Sequence, residues 1–320
     1  MNNSEIDKAA AILKRGGLVA FPTETVYGLG ADARNEDALR KLYTLKGRPA
    51  DHPVIVHLAD IGWLPQWARE VTPVAQTLAQ KFWPGPLTLI FRRRPGVSDA
   101  LTGGQDTVGL RVPAHPVARA LLEKFGGGIA APSANRFGRL SATTAQHVRH
   151  EFAAGIDWVL DGGASAVGIE STIVDTAGER PVLLRAGHIT ALDIEQAAGM
   201  PLAALNSDAA RAPGGLAAHY APETALLVME GDLLLELVAS LTRQGKRVAV
   251  LARSALQPLL PGLIWIAAPR DLHAYAHDLY ANLRALDAAR CDAILVEQPP
   301  PEWAAVNDRL HRAAAGSRRP

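Results

Sequence analysis

Short apolar runs alternate with amphipathic stretches along most of the chain, and that alternation predicts an α/β protein. A helix opens the chain, with Ser4 as N-cap, Asp7 in its first turn and Gly16-Gly17 as its stop. LVAF (18–21) reads as a strand ended by Pro22. Asn35 caps a helix that carries Ala38, Leu39, Leu42 and Leu45 on one face. VIVHL (54–58) is a further strand. A helix from Thr72-Pro73 through Phe82 stops at Trp83-Pro84-Gly85-Pro86, before the strand LTLIF (87–91). VGLRVP (108–113), GIAAPS (128–133), DWVLD (157–161), STIVD (171–175) and PVLLR (181–185) continue the strands, with helices near 116–125, 144–153 and 190–198. Strands that follow one another without a helix, as over 157–185, predict a mixed sheet rather than strict βαβ winding.

The periodicity breaks at 201–224, PLAALNSDAARAPGGLAAHYAPET, where Pro, Gly and small residues replace amphipathic spacing. A βα pattern then restarts with ALLVME (225–230), a helix through Leu241, RVAVLA (247–252), LIWIAA (263–268), a helix over 271–289, AILVE (293–297) and a final helix. The expected organisation is an α/β domain over 1–200, a linker over 201–224 and a small, mostly parallel three-layer domain over 225–320. That last domain carries neither Gly-x-Gly-x-x-Gly nor a Gly-Lys-Thr/Ser phosphate loop.

Length and composition add limits. A chain of 320 residues that is 48% hydrophobic can bury a core of about two domains. With 33 Lys+Arg against 32 Asp+Glu, there is no general electrostatic drive toward nucleic acid. Arg92-Arg93-Arg94 is the only compact basic run and reads as a solvated strand end. A single cysteine, Cys291, excludes a disulfide framework and is expected to be a small buried residue at a strand start. No apolar run reaches the ~18 residues of a membrane span, and the opening helix is polar rather than an export signal, so a cytoplasmic protein with no membrane partner is expected.

The candidate chemistry lies at strand ends. FPTETVYGLG (21–30) sets hydroxyls and a Gly-x-Gly ahead of a helix that leaves through Lys46-Gly47-Arg48-Pro49, a combination of amides and cations suited to an anion. Thr23, Glu24, Thr25 and Tyr27 follow the first strand, and Arg48, His52 and His57 lie in and after the next loop. Thr107 and Arg111 bracket a strand. Ser133, Ala134 and Asn135 end another, with Ser141 one loop on. Glu170, Ser171 and Thr172 open a strand and Arg185 closes the next. His52 and His57 have no third ligand nearby, so zinc is not expected, and no Gly-x-Ser-x-Gly elbow appears. Taken singly, Arg111 could be a strand-edge cation, Glu170 a surface acid and His57 a core histidine. Their clustering instead suits the clamping of phosphates and a carboxylate, with no enzyme nucleophile.

PTETVYGLG (22–30), KGRPADHPVIVH (46–57), WPGPLTLI (83–90), TVGLRVPAHP (107–116), APSANRFGRLS (131–141) and VGIESTIVD (167–175) resemble the threonylcarbamoyl-adenylate synthase family. APGGLAAHYAP (212–222) and AVNDRLHRAA (305–314) resemble the linker and C-terminal signature of its two-domain form, so the likeness spans essentially the whole chain. It implies a twisted mixed-sheet α/β domain with a concave nucleotide site, followed by a smaller Rossmann-like three-layer domain. The implied activity is that of a nucleotidyltransferase, which condenses L-threonine, bicarbonate and ATP to threonylcarbamoyl-AMP and pyrophosphate for the N6-threonylcarbamoyl modification of tRNA adenosine 37.

By the same resemblance, Thr25, His57, Arg111, Ala131 and Ser171 would surround L-threonine, with Arg111 facing its carboxylate. Arg48, His52, Thr107, Ser133, Ser141, Arg185 and the linker residue Tyr220 would surround ATP, with Lys46 and Arg48 as the catalytic cations. Mg²⁺ is implied with ATP, without a visible ligand set. The implied partner is the downstream tRNA threonylcarbamoyl-transfer machinery, with weak tRNA contact at most. The chain departs from the family pattern at His52, where Asn or Lys is usual, at Gly214-Gly215 in place of Gly-Met, and at Ala164-Ser165 in place of Pro-Cys. Two alternatives are a carbamoyl-transfer domain of the hydrogenase-maturation type and an RNA-binding module. The first sits beside zinc-finger and acylphosphatase modules not found in this sequence; near-zero net charge and few interleaved aromatics oppose the second.

Overall fold

The computed structural model describes residues 3–205 and 210–317. Within them the chain divides into two units, one running to Phe137 and resuming over Ala142–Gly215, the other made of Gly138–Ser141 and the chain from Leu216 on. A break at 200 is therefore not what the packing gives. Residues 201–205 and 210–215 group with the first unit and 216–224 with the second, while 206–209 of the expected linker lie outside the described residues.

The first unit is built on nine strands: β1 Val19–Phe21, β2 Gly28–Asp32, β3 Val56–His57, β4 Leu87–Arg92, β5 Thr107–Arg111, β6 Ile129–Ala130, β7 Trp158–Val159, β8 Thr172–Asp175 and β9 Val182–Arg185. They form one sheet in the order β7-β1-β2-β6-β3-β5-β4-β8-β9. It is mixed, as the consecutive strands predict: β1/β7, β3/β5 and β4/β8 are parallel and the other pairs antiparallel. Alternation along the strands feeds two apolar layers. Val19 and Phe21 point into a cluster with α1 (Asn3–Lys14), while Ala20 points into a larger one with α2 (Glu36–Lys46) and α3 (Pro73–Phe82). The remaining helices of this unit are α4 Asp99–Thr102, α5 Pro116–Phe125, α6 Ala145–Glu151 and α7 Ala191–Ala198.

One expectation is overturned here. Gly28-Leu29-Gly30 is not a phosphate-type turn running into a helix; it lies inside β2, paired with β1 and, through Ala31 and Asp32, with β6. The glycines serve packing instead. A Cβ on Gly30 would lie 2.9 Å from both Phe21 Cε1 and Ile129 Cγ2. The segment lacks the branched residues that mark strands, because its neighbours supply the bulk.

Helix α2 ends at Gly47, whose left-handed φ of 64° lets its N–H cap Thr44 and Tyr43 and turns the chain sharply into Arg48. The exit through Lys46-Gly47-Arg48 is thus a helix C-terminus.

The second unit holds β10 Ala225–Met229, α8 Gly231–Arg243, β11 Val248–Ala252, β12 Ile264–Ala267, α9 Leu272–Ala288, β13 Ala293–Glu297 and α10 Ala304–Gly316. Its four strands are all parallel, in the order β10-β13-β11-β12. Cys291 is buried just before β13. Helix α10 explains the 305–314 signature: His219 N–H donates to the Arg312 carbonyl at 3.2 Å, Arg312 Nη1 donates to the Leu216 carbonyl, and the Arg309 guanidinium lies 5.3 Å from the Tyr220 ring centroid. No described helix is long and apolar enough to cross a membrane.

Gly30→Ala is expected to lower stability by about 1–3 kcal/mol, as overpacking of a closed core does. Urea denaturation measures this, and an unchanged midpoint would show that β2 accommodates a Cβ.

Candidate active site

Cross-strand register places the candidate residues on one face of the sheet. His57 stands opposite Arg111, Ile90 opposite Gly109, Thr88 opposite Ile173, and Ile173 opposite Arg185. Ile55, Ile90 and Ile173 form a small buried floor on which Leu184, Ala210 and Ala212 pack. Gly109 keeps that floor open, since a Cβ there would sit 3.2 Å from Ile90 Cδ1.

Arg111 closes one end. Its guanidinium is 4% exposed and donates from Nη2 to Glu24 Oε1 at 2.7 Å, from Nη1 to Thr25 Oγ1 at 2.9 Å and from Nε to the Gly85 carbonyl at 3.2 Å. Glu24 Oε2 also accepts from the Ala114 N–H at 3.1 Å. Two guanidinium N–H groups are left for a ligand. A hydroxyl chain follows. Thr23 Oγ1 gives its proton to the Val26 carbonyl at 2.6 Å, so Thr25 is the donor in the 2.8 Å contact between the two threonines. Thr25 then accepts from Arg111 and has fixed direction.

His57 is buried edge-on to Phe21, with ring centroids 6.0 Å apart, and its Nδ1 has no hydrogen-bond partner among the described residues. Burial first, and the Arg111 charge second, push its pKa down to about 3, so the ring is neutral near pH 7. Ser171 Oγ sits 2.8 Å from Thr88 Oγ1 and accepts from Arg185 Nη2 at 3.0 Å. Arg185 also donates to the Ser171 carbonyl from Nε and to the Pro213 carbonyl from Nη1, each at 3.0 Å.

A second group surrounds the end of α2. Lys46 Nζ donates to the Ser133 carbonyl at 2.6 Å and to the Asn135 carbonyl, and so fixes the loop after β6. Burial, then the neighbouring Arg48, hold its pKa well below the usual lysine value. Arg48 Nη2 donates to the Pro53 carbonyl at 2.8 Å and its guanidinium lies 5.9 Å from the Phe137 ring. His52 meets the same ring edge-on at 5.4 Å, and burial and Arg48 lower its pKa. Ala131 donates its N–H to the Ile55 carbonyl at 3.0 Å, and its methyl lies where a Cβ on Gly28 would meet it.

Three expected residues stand outside these groups. Thr107 is at the opposite end of β5 from Arg111, roughly 13 Å away at strand rise. Ser141, fully buried, belongs to the segment that packs with the second unit. Tyr220 is also part of that unit, buried at a left-handed φ of 59° with its ring 5.8 Å from that of Tyr280. Two residues that receive no role from the sequence, Glu24 and Thr88, prove central to the contacts. Thr88 had a signal, a hydroxyl inside the apolar run LTLIF. Glu24 had its place in the polar cluster that follows the first strand.

Comparison with known proteins places this geometry. The family model described as "Telomere recombination" matches residues 11–187, and the one described as "Threonylcarbamoyl-AMP synthase, C-terminal domain" matches 189–315. Threonylcarbamoyl-AMP synthase of Bacillus subtilis is 40% identical, covering 98% of this chain and 94% of its own, and that of Pyrococcus abyssi is 39% identical, covering 96% and 93%. The chain belongs to the threonylcarbamoyl-AMP synthase family. Among solved structures, P. abyssi Sua5 complexed with L-threonine superposes on this member of the family with a TM-score of 0.91 at 38% identity, covering 99% of this chain and 96% of that one.

The neutral, buried state of His57 has a consequence for stability in this family member. Its pKa is about 3 folded against an ordinary 6.5, so protons bind preferentially to the unfolded chain between those values. Stability contributed by the neutral ring is complete above pH 6.5 and is lost as pH falls toward 3. His52 and His115, also lowered, add to the same slope. His57→Gln is expected to lose less stability than wild type between pH 7.5 and pH 5 in urea titrations; equal losses would contradict a buried neutral ring.

Proposed function

We propose that this chain condenses L-threonine, bicarbonate and ATP into threonylcarbamoyl-AMP and pyrophosphate, supplying the machinery that transfers the threonylcarbamoyl group to N6 of tRNA adenosine 37. The observation that carries this reading is the pairing of buried fixed cations with a neutral histidine and oriented hydroxyls at one end of a single sheet face. In this reading the two unengaged N–H groups of Arg111 receive the threonine carboxylate, while Thr25, Ser171 and the neutral His57 orient its amine and hydroxyl. Bicarbonate gives CO2 and hydroxide, the neutral amine adds to CO2 to form a carbamate, and the proton it loses joins the hydroxide as water. A carbamate oxygen attacks the α-phosphorus of ATP, the bond to the β-phosphate oxygen breaks, and pyrophosphate leaves. Arg48 and Lys46 offset the growing negative charge, with Ser133 close by on the loop that Lys46 fixes.

No protein nucleophile is required, and the rate gain rests on positioning and charge. Glu24, a buried carboxylate beside Arg111, is engaged by Arg111 and Ala114, and no three metal-type side chains converge among the described residues. In this reading Mg²⁺ would accompany ATP, with phosphate oxygens and water as its ligands. A cytoplasmic location accords with the tRNA product and with one unpaired cysteine.

Pyrophosphate release from ATP and bicarbonate, with L-threonine and with L-serine as control, tests the reading. Release is expected to depend on L-threonine, and release indifferent to it would point to a different acceptor. Arg48→Ala and Arg111→Ala should each reduce turnover by about 10²-fold or more. Wild-type rates in folded variants would remove those residues from the site.

A further inference from the structure

The amino ends of the second unit's strands frame a pocket of about 730 Å³. Ala225 and Ala293, which open β10 and β13, line it, and Lys246 joins them just ahead of β11. One wall is apolar: Leu227 of β10 with Leu237 and Leu241 of α8, all only partly buried against the core of this unit. The volume lies within the range of small-ligand sites, about 300–1,000 Å³.

Five charged residues line the pocket, and four of them are already compensated. Asp287 accepts from the N–H groups of Glu223 and Thr224, both at 2.9 Å. Arg139, which packs in the same unit, lies 3.8 Å from Asp287 and 3.0 Å from Glu223. Asp292 accepts from the Arg247 N–H at 2.8 Å and stands 3.6 Å from Lys246 Nζ. Carbonyls at the helix ends are occupied too. Those of Leu241 and Thr242 accept from the N–H groups of Lys246 and Gly245, that of Asp287 accepts from the Arg290 N–H, and that of Ala289 accepts from Arg247 Nη2. The fifth charge, Arg290, is exposed, and its guanidinium has no partner among the described residues. Arg290 also stands at a left-handed φ of 51°, just past the end of α9, where glycine or asparagine is usual. An arginine held there strains the backbone and leaves five N–H donors unused at the edge of an apolar pocket.

We propose that this pocket binds a small amphipathic carboxylate, its apolar body against Leu227, Leu237 and Leu241 and its carboxylate on Arg290. The planar guanidinium matches a carboxylate with two parallel hydrogen bonds. A phosphate monoester fits less well, because its second negative charge would meet Glu223, Asp287 and Asp292 around the same opening. The site lies at the opposite end of the sheet from the amides that Glu297 occupies, and it does not depend on the reaction proposed above.

Calorimetric titration of the full chain with octanoate, octanamide, octylamine and octyl phosphate tests the proposal. Octanoate should bind at one site with a Kd of about 5 mM or tighter, and octanamide about ten-fold more weakly, for want of the charge. Octylamine and octyl phosphate should both bind more weakly than octanoate. Arg290→Asn should weaken octanoate about ten-fold and leave octanamide within about two-fold. It should melt no lower than wild type, since asparagine adopts the left-handed backbone more readily than arginine. Leu237→Gln should weaken octanoate and octanamide alike. No saturation with octanoate by about 20 mM would overturn the proposal. So would octylamine or octyl phosphate binding as tightly as octanoate, or an unchanged octanoate Kd in Arg290→Asn.

Discussion

Burying a guanidinium at the end of β5 is the constraint on which the site depends. Arg111 cannot sit 4% exposed without partners, because removing a charge from water costs several kcal/mol. Its partners come from far apart in sequence: Glu24 and Thr25 from the turn after β1, Gly85 from the turn before β4. The pair therefore locks two loops to one strand end, and the hydroxyl direction of Thr25 follows from it. The charge of Arg111 also helps keep His57 neutral. One ion pair thus sets loop position and hydroxyl direction together, and adds to the burial that keeps His57 neutral.

Much of the fold was legible because it rests on local signals. Apolar runs bounded by Pro and Gly located most of the strands, and capping residues such as Asn35 and Thr72 located helix starts to within a few residues. The mixed sheet followed from strands without intervening helices. What failed depended on contacts between distant strands. β2 has three small residues in five positions and looks like a loop; only Phe21 and Ile129, from β1 and β6, show why glycine belongs there. The four-residue excursion at 138–141 was equally invisible, since nothing in GRLS itself says which unit it packs with.

The site was legible in kind and less so in wiring. Sequence shows cations near a loop but not which groups already occupy them. Lys46, read as a phosphate contact, holds two backbone carbonyls of the loop that carries Ser133 and Asn135. Burial and Arg48 disfavour its charged form, and an anion placed beside both cations would favour it again. Both cations are already held by backbone carbonyls, Lys46 by those of Ser133 and Asn135 and Arg48 by that of Pro53. That coupling between burial and ligand charge cannot be read from KGRP alone.

The second unit raises the opposite question, why a parallel sheet of nucleotide-binding type should carry no such loop. In parallel sheets ligands gather at the carboxyl ends of the strands. At the end of β11 the N–H groups of Arg253, Ser254 and Ala255 converge on Glu297 Oε2, at 2.6, 2.7 and 3.1 Å, and the Ser254 hydroxyl reaches Oε1. Three successive amides aimed at one oxygen make an anion nest. Here the anion is a carboxylate of the neighbouring strand β13, so those donors are not available to a phosphate. The rest of the unit points elsewhere: α10 holds the chain at 216–220, and α9 holds 138–141. Its anion site is filled from within, and its last two helices hold backbone of the same unit, at 216–220 and 138–141.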